Sequence, residues 1–362
     1  MKSRKMMSGA GGYFQGENIL WECGQELSRK GCRKIFIIGG LQAMAAAEEQ
    51  ICTSLKKAEI LYVLQPFTGF CSAGEIADFG SRAVLEDCDS IMGVGGGKAM
   101  DVAKAVAAER KLPVYCVPTC AATCAAFASL SVIYNEQGCQ DHTRYHPDEV
   151  SGVFADTAVL AAAPARYLAA GMADAMAKTC EYSSMRDGLE YGDVDISKYL
   201  GYRLAQVGDQ LLLKIGEQAY RDNQEGRVTA ALEDALYITI PATGMISGMG
   251  GFAGRTGSRF AIAHGFNEVI RGRYTDTKRW LHGELVAVGI LAQLHANRVP
   301  AEYLQRVRAF YEAIGVPVSL RQLDIVLDEE GFSRFQREIA DHSHVAPEYV
   351  PRVLEAVASV RG

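Results

Sequence analysis

Short apolar runs alternate with longer amphipathic stretches in the first part of the chain. The apolar runs have the length of strands and are Lys34–Ile38, Ile60–Leu64, Ser90–Val94 and Pro113–Val117. The stretches between them have helical spacing and cover about Leu41–Lys57, Ser72–Asp87 and Lys98–Arg110. This alternation predicts an α/β fold, in which a Rossmann-like parallel sheet carries crossover helices. Ligands of such sheets bind outside the carboxyl ends of the strands, so we expect functional residues in the turns there.

The pattern changes beyond about Thr157, where long Ala-rich and Leu-rich stretches with helical spacing replace the strands. These stretches are Tyr199–Tyr220, Thr229–Thr239, Ser258–Ile270, Glu284–Asn297 and Ala301–Ala313. Between them, Gly244–Gly257 predicts a glycine-rich loop, and Tyr145–Val150 predicts a linker. The 362 residues are enough for two domains. We predict an α/β dinucleotide-binding domain over residues 1–156 and an all-α domain over residues 157–362.

The composition, 49% hydrophobic and 22% charged, is typical of a globular protein and argues against disorder. The net charge of -6 includes no basic block, which argues against a nucleic-acid partner. No apolar run reaches the ~18 residues of a membrane span, and Met1–Ser8 has no apolar segment of a signal peptide behind it. The ten cysteines lie mostly in apolar segments, which indicates reduced thiols. Together these features predict a cytoplasmic protein.

Cys116, Cys120 and Cys124 recur at a spacing of four residues. Such thiols can bind a metal or can pack as small buried hydrophobic groups. The segment contains no CxxC pair and has the character of a strand and a turn, so packing is the favoured interpretation.

The segment Gly93–Asp101 (GVGGGKAMD) follows an apolar strand and opens a helix. Its glycines allow backbone N–H groups to approach an anion at the positive end of that helix, which predicts a pyrophosphate site. Lys98 would add charge there, and Asp101 could accept a hydrogen bond from a ribose or a carboxamide. A tight turn that uses glycine only for steric reasons is the alternative. The small residues of Pro118–Tyr134 suit either a flat ring system against the backbone or close packing.

Two histidines beside glycines stand out in the helical half. His264 lies in a helix-like run, and His282 lies just ahead of another. A histidine at a helix start stays neutral, which is the form that binds a metal. Together with Asp174 they could form a two-histidine, one-carboxylate site for Zn²⁺ or Fe²⁺, whereas a buried histidine with an ordinary core role is the alternative. Four other histidines are expected at the surface: His142, His146, His342 and His344.

Four motifs resemble one known family over nearly the whole chain. They are Gly93–Ala107 (GVGGGKAMDVAKAVA), Ala128–Asn135 (ASLSVIYN), Gly171–Glu181 (GMADAMAKTCE) and His282–Leu294 (HGELVAVGILAQL). In order and spacing they are similar to the iron-containing alcohol dehydrogenases, in their glycerol dehydrogenase-like branch. The resemblance implies an N-terminal dinucleotide-binding α/β domain, an all-helical catalytic domain and catalysis in the cleft between them. It also implies a homo-oligomer.

The resemblance further implies which residues form the site. The metal ligands and catalytic residues would be Asp174, His264 and His282. The dinucleotide, NAD(P), would contact Gly95, Gly96, Gly97, Lys98, Asp101, Thr119, Ala122, Leu130 and Tyr134. A divalent metal, Zn or Fe, would polarise the alcohol oxygen as a Lewis acid and favour hydride transfer to the nicotinamide C4.

The chain departs from the glycerol dehydrogenases at the position that meets the polyol. Those enzymes have an aspartate in the turn after the fourth strand, and here the residue is Cys124. This turn and Gly257–His264 look closer to the hydroxycarboxylate dehydrogenases of the same branch, which reduce small 2-oxo acids. A substrate carboxylate would then need a cation, for which Arg255 and Arg259 are the candidates.

Two further departures concern the proton and the cofactor. Asn267 stands where many relatives have a second histidine, which is usually credited with relaying the proton, so another group or water must take this role. Gly40 stands where NAD-preferring relatives have an aspartate for the ribose 2′-hydroxyl. Its absence removes repulsion toward a 2′-phosphate and favours NADPH, unless another residue supplies the contact.

Three functions are compatible with these features. The favoured one is a metal- and NAD(P)-dependent oxidoreductase that interconverts a small alcohol or 2-hydroxy acid with its carbonyl compound. A lyase similar to dehydroquinate synthase is the first alternative, although the segments expected at the cleft are short of the Lys and Arg that a substrate phosphate requires. The second alternative is a nucleotide-binding protein that lacks both metal and turnover, as the loss of a histidine at Asn267 would suggest.

Overall fold

The computed structural model describes residues 9–135, 138, 140–185, 189–249, 258–271, 273–276 and 279–362. The chain divides into two compact units. The first contains the described residues up to Pro164 together with Asp222–Gly244. The second contains Ala165–Arg221 together with Met245–Gly362. The chain thus enters the second unit at Ala165 and returns once to the first.

The first unit is built on a parallel sheet. Its strands are β1 (Tyr13–Gly16), β2 (Lys34–Gly40), β3 (Leu61–Phe67), β4 (Ser90–Gly95), β5 (Val114–Pro118), β6 (Leu130–Tyr134), β7 (Gln140–Tyr145) and β8 (Gly152–Asp156). Six of them form one sheet in the order β1-β8-β5-β4-β2-β3, and β6 pairs with β7 in an antiparallel hairpin. The predicted strands are β2 to β5, which are neighbours in this sheet. The short strands β1 and β8 complete the other edge, so the predicted linker Tyr145–Val150 connects β7 to β8 within the first unit.

Helices pack around this sheet and build the second unit. They are α1 (Cys23–Arg29), α2 (Leu41–Lys57), α3 (Ala73–Leu85), α4 (Gly97–Arg110), α5 (Thr157–Ala162), α6 (Ala165–Ser183), α7 (Ile196–Gln224), α8 (Ala230–Tyr237), α9 (Thr243–Met249), α10 (Ala263–Ile270), α11 (His282–Ala296), α12 (Ala301–Ala313), α13 (Glu329–His342) and α14 (Val350–Ala358). The predicted fold class, a parallel-sheet α/β domain with a helical domain, is confirmed. No helix in the described part of the chain has both the length and the apolar character needed to cross a membrane.

The segment Gly244–Gly257 is not a loop over its first residues, and this part of the prediction is wrong. Helix α9 continues to Met249 after a π-helical turn at Ile238–Ala242. Gly244 allows the Phe127 ring to pack closely against α9, because a Cβ atom at position 244 would lie 2.7 Å from Cδ1 of Phe127. Residues 250–257, with the candidate Arg255, lie outside the described residues.

Helix α7 buries a carboxyl group that has little compensation. Asp209 is only 5% exposed, and the Tyr303 hydroxyl donates a hydrogen bond to its Oδ2 atom at 3.3 Å. Burial raises the pKa of Asp209 well above its ordinary value. The folded protein therefore holds a proton on this group at pH values at which the unfolded chain has lost it, and folding loses stability as the pH rises through that interval.

We expect Asp209→Asn to stabilise the protein, and to do so increasingly with pH. An amide keeps an acceptor for Tyr303 and has no ionisation to suppress. The gain over the wild type is expected to be small near pH 4 and to grow by at most about 1.4 kcal/mol per pH unit up to the folded-state pKa. Thermal unfolding of both proteins at a series of pH values measures this difference. A gain in melting temperature that does not vary with pH would contradict the expectation.

Candidate functional site

The three side chains predicted as metal ligands lie together in the second unit. Asp174 is on α6, His264 is the second residue of α10, and His282 is the first residue of α11. The Nε2 atoms of His264 and His282 lie 3.4 and 3.3 Å from Oδ1 of Asp174. One ligand atom from each residue lies within 4.8 Å of the others, and no second group of this kind occurs among the described residues.

The Asp174 carboxylate has the environment of a metal ligand. Its Oδ1 atom is buried and accepts no hydrogen bond from any described residue, although two imidazole nitrogens lie nearby. A buried carboxylate oxygen without a donor is costly unless a cation compensates it. Two imidazoles and one carboxylate form a donor set that binds Zn²⁺ or Fe²⁺ and leaves a coordination position open. The residues therefore fit a divalent metal.

The charges of the three side chains also suit a cation. Burial opposes ionisation of Asp174, but the adjacent imidazoles of His264 and His282 hold its pKa well below the ordinary value. Burial lowers the pKa of His282, which favours the neutral imidazole. Burial likewise disfavours the charged form of His264, but Glu181 and Asp174 together outweigh it and raise the pKa of His264 above its ordinary value. A metal that binds there displaces this proton.

Two glycines allow the three ligand-bearing helices to meet. A Cβ atom on Gly283, next to His282, would lie 1.9 Å from the carbonyl oxygen of Ala170 on α6. A Cβ atom on Gly289 would lie 2.3 Å from the carbonyl oxygen of Ala263, which precedes His264. Helix α11 therefore touches the backbone of both α6 and α10, which only glycine permits at this distance. The sequence analysis did not assign these glycines a role.

An ion pair between the buried Glu284 and the half-exposed Arg166 fixes the start of α11. Arg166 donates from Nε to Oε1 of Glu284 at 2.5 Å and from Nη2 to Oε2 at 2.7 Å. The same Oε2 accepts a hydrogen bond from the backbone N–H of Leu281 at 2.7 Å, which caps the helix. His282 is the first residue after this cap, so the pair holds the backbone that carries a candidate ligand. Sequence reasoning missed both residues of the pair.

Asn267 and the candidate Arg259 are engaged by other groups. Asn267 Oδ1 accepts a hydrogen bond from Nε of Arg271 at 3.3 Å, and Nη2 of Arg271 reaches the Trp280 carbonyl at 3.4 Å. Arg271 thus connects the residue one turn after His264 with the segment before His282, a role that the sequence did not indicate. Arg259 donates to the Ser184 carbonyl at 3.2 Å, to Tyr349 Oη at 3.4 Å, and lies over the Tyr349 ring.

The glycine turn of the first unit has the geometry expected of an anion site. Gly95 ends β4 with φ of 146°, a backbone conformation that residues other than glycine rarely adopt. Gly96 precedes α4 without a side-chain cap, and Gly97 is the first helical residue. Cβ atoms on Gly96 and Gly97 would lie against Cys120 Sγ at 3.4 Å and Ala125 Cβ at 3.6 Å. The backbone at the start of α4 is therefore bare, as a bound phosphate requires.

The Phe70 ring contacts Lys98 and Tyr134, two residues that were predicted to bind the cofactor. The Lys98 ammonium lies 4.3 Å from the centre of this ring, and the Tyr134 ring lies 5.5 Å from it. The backbone N–H of Tyr134 also donates to the carbonyl of Cys71 at 2.8 Å. The segment before α3 thus holds Lys98 and Tyr134 in place. Phe70 was not predicted, because nothing in its neighbourhood in the sequence indicates this contact.

Asp101 lies inside the first unit. It is 5% exposed, its Oδ1 atom lies 2.9 Å from Lys104 Nζ, and its Oδ2 atom accepts from the Val132 N–H at 3.1 Å. Lys104 Nζ also donates to the carbonyls of Ala125 and Ala128 at 2.8 and 3.0 Å. These contacts fix the turn after β5, which contains the predicted cofactor residues Thr119 and Ala122 and the candidate Cys124 and leads to Leu130, the first residue of β6. The Thr119 N–H donates to the Gly95 carbonyl at 3.1 Å, so this turn adjoins the glycine turn.

Of the histidines expected at the surface, His146 is the exception. His142, His342 and His344 are exposed. His146 is half-buried, and its Nε2 atom lies 2.8 Å from Oγ of Ser131 on β6. Burial lowers its pKa to about 4. Cys116, Cys120 and Cys124 are free thiols that do not form a ligand cluster with one another.

Comparisons with known proteins identify the family of the chain. Residues 10–160 match the family described as "Iron-containing alcohol dehydrogenase". The chain is 33% identical over 337 residues to a glycerol dehydrogenase of Escherichia coli O6:H1, which covers 93% of this chain and 89% of that one. It is 31% identical over 293 residues to hydroxycarboxylate dehydrogenase A of Escherichia coli K12, which covers 81% and 78% of the two chains.

A solved structure shows the same fold. It is that of a probable glycerol dehydrogenase from Sinorhizobium meliloti, with a TM-score of 0.82, 23% sequence identity and coverage of 99% of this chain and 98% of that one. The sequence relatives extend over both units and not over the sheet alone. The chain therefore belongs to the iron-containing alcohol dehydrogenase family, and it is an oxidoreductase of the glycerol dehydrogenase-like kind.

Proposed function

We propose that this protein uses NAD(P) and a divalent metal, zinc or iron, to interconvert a small alcohol or 2-hydroxy acid with its carbonyl compound. The observation that carries the proposal is the convergence of two imidazoles on a buried carboxylate oxygen that has no hydrogen-bond donor. The named relatives support it, because they are dehydrogenases of glycerol and of hydroxycarboxylates. Neither the lyase nor the metal-free alternative gains support from them.

In this proposal each unit has a distinct task. Asp174, His264 and His282 hold the metal, which when bound supplies Lewis acidity toward the substrate oxygen. When NAD(P) is bound, its phosphates would contact Gly95, Gly96, Gly97 and Lys98. Its nicotinamide half would contact Thr119, Ala122, Leu130 and Tyr134. Asp101 acts from inside the fold by fixing the turn that presents these residues. No side chain has to act as a nucleophile, because NAD(P), when bound, would accept or supply the hydride.

The alcohol proton passes to water in this proposal. The side chain at position 267 is an amide, which does not exchange protons at neutral pH, and its Oδ1 atom already accepts a hydrogen bond from Arg271. Asn267 therefore contributes by orienting Arg271 and not by relaying a proton.

The substrate class depends on the residues that face the substrate. The candidate substrate contacts are Cys124, Arg259 and Asn267, and Arg271 joins them because it is held by Asn267. Arg259 already uses two donors on Ser184 and Tyr349. A guanidinium can pair with a carboxylate through two parallel hydrogen bonds, and Cys124 stands where the glycerol dehydrogenases have an aspartate for the polyol. We therefore propose small 2-oxo and 2-hydroxy acids ahead of glycerol.

A panel of substrates tests the function. Oxidation of NADH and NADPH is followed by absorbance with dihydroxyacetone, 2-oxobutyrate and 2-oxoglutarate, and reduction of NAD(P) with glycerol, with Zn²⁺ or Fe²⁺ added. Turnover that depends on the metal with any of these supports the oxidoreductase, and a preference for the 2-oxo acids supports the proposed class. Turnover that persists in a metal-free protein would contradict the role of the metal.

The expected cofactor preference depends on Gly40. Gly40 ends β2 with φ of -66°, and its amide nitrogen would lie 3.9 Å from a Cβ atom on Gly95. The two glycine positions are thus neighbours at the carboxyl edge of the sheet. A Cβ atom on Gly40 would meet only Ala43 Cβ, at 3.9 Å, so a side chain fits there without strain.

We expect Gly40→Asp to shift the preference toward NADH. The new carboxylate repels a 2′-phosphate and can accept a hydrogen bond from a 2′-hydroxyl, so the KM for NADPH should rise about tenfold or more, or ~1.4 kcal/mol. The KM for NADH should fall or stay the same. Gly40→Asn, which has the same shape without charge, is the matched control. Equal effects of Gly40→Asp on both cofactors would contradict the predicted position of the ribose.

We also propose that the protein works in the cytoplasm as a homo-oligomer. The free thiols fit a reducing compartment. The oligomer is expected from the resemblance to the family, and light scattering on the purified protein measures it directly.

A further inference from the structure

Glu181 is a buried carboxylate that contacts one of the candidate metal ligands. It is 3% exposed, and its Oε1 atom lies 2.7 Å from Nδ1 of His264. The same oxygen accepts a hydrogen bond from the backbone N–H of His264 at 3.3 Å. One carboxylate oxygen therefore fixes both the ring and the backbone of this histidine.

Helix α6 presents Glu181 and Asp174 to the same side. Residues seven apart occupy the same face of a helix, two turns from each other. Asp174 Oδ1 faces Nε2 of His264 at 3.4 Å, whereas Glu181 meets the opposite nitrogen of the ring. The imidazole of His264 thus lies between two carboxylates of one helix, and only the first belongs to the predicted ligand set.

The contact determines which nitrogen of His264 can bind a cation. An ionised carboxylate can only accept, so Nδ1 carries the hydrogen and Nε2 presents its lone pair. A carboxylate on the far nitrogen also makes an imidazole a stronger ligand, and loss of such a partner typically weakens metal affinity about 10–100-fold. His282 is fixed differently, by its place at the capped start of α11.

We infer that Glu181 is a positioning residue that orients His264 and strengthens the affinity of the site for a divalent cation. The inference rests on the proposed function, because it requires that Asp174, His264 and His282 bind a metal. Glu181 itself does not contact the metal or the substrate in this arrangement. A role limited to capping α10 through the His264 N–H is the competing explanation, and it predicts a loss of stability without a loss of metal affinity.

Glu181→Gln in the full-length protein separates these roles, because the amide keeps the size and one acceptor but loses the charge. The affinity for Zn²⁺ and for Co²⁺ is measured by competition with a chelator, together with the visible spectrum of the Co²⁺ form. We expect the affinity to fall about 10-fold or more and the Co²⁺ spectrum to change. Asp209→Asn is the matched control, since it replaces another buried carboxyl group of the second unit by an amide and should leave the metal affinity unchanged.

The outcomes distinguish this inference from the proposed function. A wild-type protein that binds neither cation overturns the proposed function, and the inference falls with it. Unchanged affinity and an unchanged Co²⁺ spectrum in Glu181→Gln overturn the inference alone. If the variant does not fold, ring nitrogen NMR of the Zn²⁺-loaded wild type, assigned through His264→Gln, decides the question. A hydrogen on Nδ1 of His264 supports the inference, and a hydrogen on Nε2 overturns it.

Discussion

Replacement of His282 by alanine is expected to abolish turnover while dinucleotide affinity stays close to that of the wild type. His282 supplies one of three ligand atoms, and its loss leaves a two-residue site that cannot hold the cation firmly. Since hydride transfer needs the polarised substrate oxygen, kcat should fall about 10³-fold or more, ~4 kcal/mol. The glycine turn lies in the other unit and is not altered. Steady-state kinetics, metal content and fluorescence titration with NADH measure the three quantities.

His295→Ala is the matched control for this variant. His295 lies in the last turn of α11, on the same helix as His282, but it is not part of the ligand cluster. We expect its metal content and kcat to match those of the wild type. Wild-type turnover in His282→Ala, or equal losses in both variants, would contradict the assignment of His282 to the metal.

Gly283→Ala is expected to damage the site through packing, although it adds only one methyl group. The new Cβ atom would lie 1.9 Å from the backbone carbonyl oxygen of Ala170, and backbone cannot move aside as a flexible side chain can. Helix α11 must shift away from α6, which separates His282 from Asp174. We expect a net loss of about 1–3 kcal/mol in the free energy of unfolding, despite a gain of about 1 kcal/mol in helix propensity. Metal affinity and kcat should fall with it.

Gly74→Ala is the matched control for Gly283→Ala, because an added methyl group has open space at position 74. Gly74 lies in the first turn of α3, and a Cβ atom there would meet nothing within 4 Å. Its replacement should stabilise the protein by about 0.4–1 kcal/mol. Chemical denaturation of both variants compares the two effects. If Gly283→Ala is as stable as the wild type and retains its metal, the close approach of α6 and α11 does not hold the site together.

The sequence predicted the centre of the sheet better than its edge. Strands β2 to β5 are apolar runs separated by stretches with helical spacing, so their existence follows from the pattern alone. Strands β1 and β8 have four and five residues, and they become recognisable only when each pairs with the other. The charges and the proline of Tyr145–Val150 suggested a linker. In the structure this segment connects β7 to β8 within one unit, and β8 is recognisable only from its pairing.

The residues that support the site could not be found from the sequence. Glu181 and His264 are 83 residues apart, and Arg166 and Glu284 are 118 residues apart. Glutamate and arginine are common on helices, so neither pair stands out among the other charges of the chain. Their importance comes from a contact that exists only after α6 has packed beside α10 and α11.

The sequence by itself determined the alternation of strands and helices, the glycine turn ahead of α4 and the kinds of donor available to a metal. These depend on residues that are neighbours in the chain, where periodicity, backbone freedom and side-chain chemistry act directly. The tertiary structure alone decided that His264 and His282 meet at one oxygen of Asp174, that Glu181 lies behind His264 and that Asp101 is enclosed. Such contacts depend on how closely whole helices approach, and at Gly283 that distance is set by the absence of a single Cβ atom.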